Sequence, residues 1–325
     1  MIRLVRAELR RLTSRRMTLI TAIVLLVAVA LLGIGVNFAV SPPSSADVAE
    51  QRQYYEQAHH EWEQQDHDQQ LQDCMSNGDS REDCESYTGE PKPEDYALTA
   101  SSLVDVGDYV MVAAAVVAML ASYLVAASSI GAEYTSGALA NWLTFVPRRL
   151  QVYGSKLIAV VLGSALVGAV VTFLVLGLAA LLTRLHDGSL SGVDHLAAIG
   201  GRAVVLTAAA GVLGFVLALV TRHTVAAVGA VLGYLVVSTV LGGLSFNADG
   251  FFRGVPPWLA ENNARAFLQH GLDYTQYRDV TAADGTNTES VERHITFGHS
   301  AVYWLVVVVV AVVGAALVFR RRDVT

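Results

Sequence analysis

The chain has 325 residues, 53 % of them hydrophobic and 16 % charged, whereas an ordinary soluble domain carries about a quarter charged residues. That balance excludes a typical cytosolic protein, and the abundance of apolar side chains excludes a disordered one. A net charge of -7 gives no reason to expect nucleic acid as a partner.

Six stretches lack Asp, Glu, Lys, Arg and His altogether: 17–40, 109–130, 157–182, 203–220, 224–246 and 300–319. A helix crossing the roughly 30 Å hydrocarbon core needs about 20 apolar residues, with about 17 to 25 the usual range. The expected fold is therefore an all-α membrane protein with six transmembrane helices over those spans, forming one membrane domain over 17–325. The shortest, 203–220, gains a turn if Arg202 reaches back to the headgroups.

Residues 1–16 place Ile2, Val5, Leu9 and Leu12 three and four apart, with Arg3, Arg6, Arg10 and Arg11 elsewhere on the wheel. This predicts an N-terminal amphipathic helix in the membrane interface, its arginines meeting anionic lipid of the bilayer. The apolar run that follows exceeds the 7 to 15 residues of a signal h-region and no A-x-A-like site follows Val40, so an uncleaved helix is expected.

Residues 41–108 form a large, acidic, Gln-rich first loop. Ser41-Pro42-Pro43 breaks the chain, and 46–73 reads as one mostly polar helix. His59, His60 and His67 stand among carboxylates, but His60-Glu61 lacks the second histidine of H-E-x-x-H, so a solvated face is expected and no metal site. Cys74 and Cys84, the two cysteines of the chain, both fall in this loop and are expected to pair there.

The segment 131–156 carries Glu133 and Gly137, then Leu139, Trp142, Leu143 and Val146 at helical spacing, then Pro147, Arg148, Arg149 and Lys156. It predicts a short amphipathic helix stopped by proline, able either to lie on lipid or to dock into a soluble partner. Glu133 also reads as a helix-start carboxylate, and the basic residues as a cluster that fixes topology. In the fifth span, Gly229-x-x-x-Gly233 is expected to pack against a neighbouring helix of the same chain. Between the last two spans, Pro256-Pro257-Trp258 opens a short helix ending near Gly271, with Trp258, Phe267 and Leu268 suited to a headgroup boundary.

Segments on alternate sides of the six spans hold very different charge. Those including the two ends carry 13 Lys and Arg against 3 acidic residues, and the others 9 against 26. The positive-inside rule then puts both termini in the cytoplasm of a multi-pass protein of the cell membrane, with the 41–108 loop outside.

Taken together, the basic amphipathic start, the six spans, Glu133 and Gly137 followed by Pro147-Arg148-Arg149 and Lys156, and the closing Phe319-Arg320-Arg321-Arg322 resemble the integral-membrane permease subunits of type-two ABC transporters, mostly exporters. Family members often have Gly-Thr where this chain has Gly137-Ala138. The resemblance implies a coupling segment, with Glu133, Gly137, Leu139, Trp142, Leu143, Val146, Arg148 and Arg149 facing an ABC ATPase subunit. It implies pairing of two copies, or of this chain with a sister permease, and ATP and Mg on the ATPase with no cofactor here. No G-x-x-x-x-G-K-[ST], G-x-S-x-G or H-E-x-x-H sequence occurs, and the six spans hold no ionisable group of the kind proton-coupled carriers place at membrane depth. The expectation is a transport permease without catalytic residues, passing hydrophobic or amphipathic cargo. The competing expectation is a membrane-anchored sensor or assembly factor that binds a ligand with the acidic loop.

Overall fold

A computed structural model describes residues 2–76, 80–97, 102–145, 148–246, 250–282 and 285–321. Contacts divide the chain into two compact units, Phe38–Ser102 and the remainder, Met1–Asn37 with Leu103–Thr325.

In the larger unit, α1 (Ile2–Thr13) leads into α2 (Arg16–Val40). After the intervening unit come α6 (Leu103–Thr135), α7 (Ala138–Phe145), α8 (Arg149–Leu185), α9 (Val193–Thr221), α10 (Thr224–Phe246), α11 (Ala260–Gln269) and α12 (Phe297–Arg321). The smaller unit holds α3 (Ser45–Glu63), α4 (His67–Ser76) and α5 (Arg81–Thr88). Six helices are long and apolar enough to cross a membrane: Arg16–Val40, Val106–Thr135, Arg149–Leu185, Val193–Thr221, Thr224–Ser245 and Phe297–Arg321. The molecule is a mostly helical, multi-pass membrane protein. The helices overrun the charge-free stretches because a helix continues past the hydrocarbon until a turn stops it, carrying its charges at its ends. Glu133, Lys156 and Arg202 therefore lie inside continuous helices.

Helix α9 is the axis of the bundle. Within the chain, 61 % of its apolar stretch is buried, against 11 % for α10 and 17 % for α12. It lies against α6 and α8, and small residues set the distances. A Cβ on Gly214 would collide with the Tyr123 carbonyl of α6, and one on Gly211 with the Ser164 hydroxyl of α8. Apolar side chains of α2, α10 and α12, among them Leu31, Phe38, Val236, Leu305 and Val310, are more than half exposed, as lipid-facing surfaces require. Gly229 and Gly233 have no neighbour within 4 Å of a Cβ position. The pair does not pack within the chain as its spacing suggested; it points outward from α10.

The expectation of an all-α architecture needs one correction. Residues Gly271–Ala282 (β1) and Gly285–Thr296 (β2) form an antiparallel hairpin whose register runs from Gly271 opposite Thr296 to Ala282 opposite Gly285. His294 meets Asp273 across the strands at 2.6 Å. The buried Gln276 side chain donates to the carbonyls of Arg253 (3.0 Å) and Ser245 (3.4 Å), tying the hairpin to the end of α10. Burial pushes the Tyr274 phenol above its ordinary value.

In the smaller unit, Ser44 and Asp47 form a reciprocal cap on α3, which holds the Asp47 carboxyl below the usual carboxylate range. The single helix expected over 46–73 is instead α3 and α4. Asp66 accepts the Gln69 amide at 3.2 Å and so starts a new helix where polar residues alone suggested continuation. His67 stacks on Trp62 with ring centroids 3.9 Å apart, and His59 reaches Glu90 at 3.2 Å.

Cys74 and Cys84 are bonded, joining α4 to α5 across ten residues. In the chain-entropy model a closure of that length stabilises by about 2–3 kcal/mol. Replacing both cysteines with serine should lower the denaturant midpoint of this unit and bring earlier proteolytic cutting within 38–102. Fluorescence-monitored urea titration and limited proteolysis of the full chain check this.

Candidate functional site

The chemistry of the larger unit concentrates at one end of the bundle, where α1, α6, α7 and α8 meet. Helix α1 forms because Leu, Arg and Ala are good helix formers and its apolar stripe has something to cover, the flank of α8. It stops at Thr13, whose hydroxyl turns back onto the carbonyls of Leu9 and Arg10, and α2 begins at Arg16.

Glu8 stands on the inward face of α1, its side chain 5 % exposed. Lys156 of α8, also 5 % exposed, donates from Nζ to Glu8 Oε2 at 2.9 Å and pairs with Glu133 Oε2 of α6 at 2.6 Å. Arg15, in the turn between α1 and α2, donates to Glu133 Oε1 at 3.3 Å and to the Ser129 carbonyl at 2.8 Å. Arg11 stands 3.8 Å from Glu8 Oε1 and lays its guanidinium over the Trp142 ring of α7, 4.2 Å from the centroid. Two acids and two bases are thereby matched in a buried network that joins three helices, with Arg11 extending it to a fourth. Glu8, Glu133 and Lys156 are desolvated, and only mutual pairing makes that tolerable, while Arg15 and Arg11 reach in from the surface.

The coupling residues expected from the sequence have different surroundings. Glu133 is buried, engaged by Lys156 and Arg15, and so does not offer its carboxylate to a partner. Leu139, 1 % exposed, also turns inward, into a core with Tyr123, Ile130, Val152 and Tyr153. Trp142 is half-buried beneath Arg11. Gly137 supplies the turn between α6 and α7 at φ +67, a left-handed conformation that favours glycine. Arg148 is exposed and caps α8, its carbonyl accepting the Gln151 amide at 2.9 Å, while Arg149 is half-buried. Leu143 lies in α7 with a side chain outside the described residues, and Val146 lies outside them altogether. Among the described side chains, those exposed on α7 are Ala138, Asn141 and Thr144, followed by Arg148 beyond its end. Arg3, Arg6, Arg10 and Arg11 are all exposed, as an interfacial position would require.

Glu8, Arg15 and Ser129 were not singled out by the sequence. A signal for Glu8 was present: it stands on the same stripe as Val5 and Leu12 and is the lone carboxylate in a basic segment.

The remainder of this end is closed by two buried phenols. Tyr123 donates to the Ala227 carbonyl at 2.6 Å and Tyr153 to the Val312 carbonyl at 2.8 Å, linking α6 to α10 and α8 to α12. The opposite end is held by different contacts, among them Asp108 with His195 at 3.2 Å and Arg202 with the Leu268 carbonyl.

Fold and site together define a multi-pass membrane protein in which a short surface helix is anchored to the bundle through a buried charge network. The chain belongs to the DUF2705 family, proteins of unknown function, whose model matches residues 93–325. No curated protein matches the chain.

Proposed function

We propose that this protein is the transmembrane permease subunit of an ATP-driven exporter of the type-two ABC class, working with a separate ATPase subunit. The observation that carries the reading is the placement of α7. One of its faces is built into the α6–α8 core through Leu139, the adjoining Trp142 is covered by Arg11, and among the described side chains Ala138, Asn141 and Thr144 on the other face are exposed. A force applied to that exposed face passes directly to α6 and α8, the helices that enclose α9. Arg3, Arg6, Arg10, Arg16 and Arg148 are exposed at the same end, which by the positive-inside rule makes it the cytoplasmic end, both termini included. In this reading the docking face is Ala138, Asn141, Thr144 and Arg148. Glu133 and Lys156 are positioning residues that hold α7 in place, and ATP with its Mg belongs to the partner. A second copy or a sister permease covers part of the exposed α10 surface. The cargo is hydrophobic or amphipathic, and movement between inward and outward openings is largely rigid-body.

The test is affinity purification of the tagged full chain from native membranes, with partners identified by mass spectrometry. A Walker-motif ATPase should co-purify, and the double variant Thr144→Trp, Arg148→Glu should lose most of it with an unchanged melting temperature. Recovery of no such ATPase with the unaltered chain, or equal recovery with the variant, overturns the assignment.

A second reading, ligand sensing by the 38–102 unit, is favoured by one observation. A crevice of about 250 Å³ there is lined by Val48, Arg52, Tyr55 and Tyr96. Under that reading, excision of 45–97 would abolish the response while leaving any co-purifying ATPase in place.

A further inference from the structure

Between α1, α2, α6 and α8, on the bilayer side of the charge network, lies a cavity of about 270 Å³. Its walls are almost wholly apolar and include Leu12, Thr21, Ser122, Val125, Gly163 and Val167. Leu162 and Leu166 also line it and are themselves 51 % and 64 % exposed, so the opening faces hydrocarbon.

Two features distinguish this cavity from an ordinary packing defect. Ser122, only 3 % exposed, has a hydroxyl with no hydrogen-bond partner among the described residues. A buried hydroxyl in an apolar wall is costly to leave unpaired, and serine in a helix can ordinarily turn back onto a carbonyl of the preceding turn, as Ser129 does with Ala126. The second feature is the positive charge that flanks one of the lining residues in the chain. Thr13 lines the cavity, and Arg10 and Arg16, three residues to either side, are both exposed. The nearest carboxylate on α1, Glu8, is already engaged by Lys156. An apolar slot open to the bilayer, an unpaired hydroxyl in its wall and two exposed arginines flanking Thr13 in the chain match the three parts of one molecule.

We propose that this cavity is a binding site for an anionic phospholipid of the adjoining leaflet. One acyl chain enters between α2 and α8, an ester carbonyl at its head accepts from Ser122 Oγ, and the phosphate pairs with Arg10 and Arg16. Bound there, the lipid fills the gap between α1 and the bundle and braces the helix that carries Glu8 and Arg11. The site does not depend on the transport reading; it would serve equally in a sensor.

The full-length protein is reconstituted into phosphatidylcholine vesicles containing a minor fraction of phosphatidylglycerol with a photoactivatable acyl chain, irradiated, and mapped by peptide mass spectrometry. Adducts should concentrate in 121–126 and 162–167. Gly163→Leu, which grows a side chain into the space, should remove them. Neutralising Arg10 or Arg16 with glutamine should reduce labelling about fivefold each, the fold-change for about 1 kcal/mol per cation near a lipid headgroup, with labelling by a photoactivatable phosphatidylcholine unaffected. If Gly163→Leu fails to fold, Thr21→Phe fills the cavity from α2 and should act alike. Adducts spread evenly over α2, α10 and α12, labelling that survives cavity filling in folded protein, or equal labelling by the two headgroups would each overturn the proposal.

Discussion

Replacing Lys156 with methionine should destabilise the protein by about 3–5 kcal/mol, the usual cost of removing one partner from a buried ion pair. Lys156 is the centre of the network: its Nζ reaches both Glu8 and Glu133. Methionine keeps an unbranched stem one atom short of Nζ and fills most of the volume, so the loss is chiefly electrostatic. Two desolvated carboxylates are left facing each other, with Arg15 on one and the more distant Arg11 on the other. Reversible unfolding in detergent should show the full loss for Lys156→Met. Lys156→Met with Glu133→Gln should lose less than the two single variants added together, because neutralising one acid removes part of the repulsion that the lysine had masked. Strictly additive losses would mean that the two groups do not interact. The same variant separates folding from docking: α1 should loosen before the six-helix core does, seen as faster amide exchange across 2–13 than across α9.

The six spans were legible because a membrane imposes a length on apolar sequence that soluble folding does not, and charge-free runs of that length are hard to produce otherwise. The network was not legible, because its members are far apart in the chain. Glu8 and Lys156 are separated by 148 residues, and a sequence read alone shows three charged residues near helix ends, each with an adequate local explanation. Lys156 read as a topogenic or partner-facing charge and Glu133 as a partner contact or a helix-start carboxylate, whereas the fold pairs the two with each other. The hairpin was missed for a different reason. Asp284-Gly285 between runs containing Tyr274, Val280, Val291 and Ile295 is a strand-turn-strand pattern, overlooked because its polar residues also suit an exposed loop. For α7, helical spacing identified the amphipathic helix correctly. It could not decide which way the apolar face pointed, and Leu139 turned inward.

Glycine spacing gave the clearest mismatch between pattern and packing, and from it comes the second large effect. Gly229-x-x-x-Gly233 had the better-known spacing but faces outward, while Gly214, at the ordinary-looking spacing Gly211-x-x-Gly214, is where α9 crosses α6. A Cβ on Gly214 would stand 3.0 Å from Tyr123 Cα and closer still to its carbonyl oxygen. These are backbone atoms in the middle of a helix, so no rotamer change relieves the clash; the helices must separate. Overpacking of this kind costs about 1–3 kcal/mol when the surroundings can shift, and here the atoms to be displaced carry Tyr123, whose hydroxyl holds α10 through Ala227. Gly214→Ala should therefore lower the melting temperature measurably, and Gly214→Leu should abolish recovery of monodisperse protein from detergent. Gly233→Ala, with nothing within 4 Å, is the control. It should leave the chain as stable as before or up to about 1 kcal/mol more stable, since alanine is the better helix former. Should Gly214→Leu yield well-behaved protein with the melting temperature of the unaltered chain, the close crossing of α6 and α9 would be wrong, and with it the central position of α9. Should Gly233→Ala instead disperse a larger species into a smaller one, the exposed glycines of α10 would be a seam between copies.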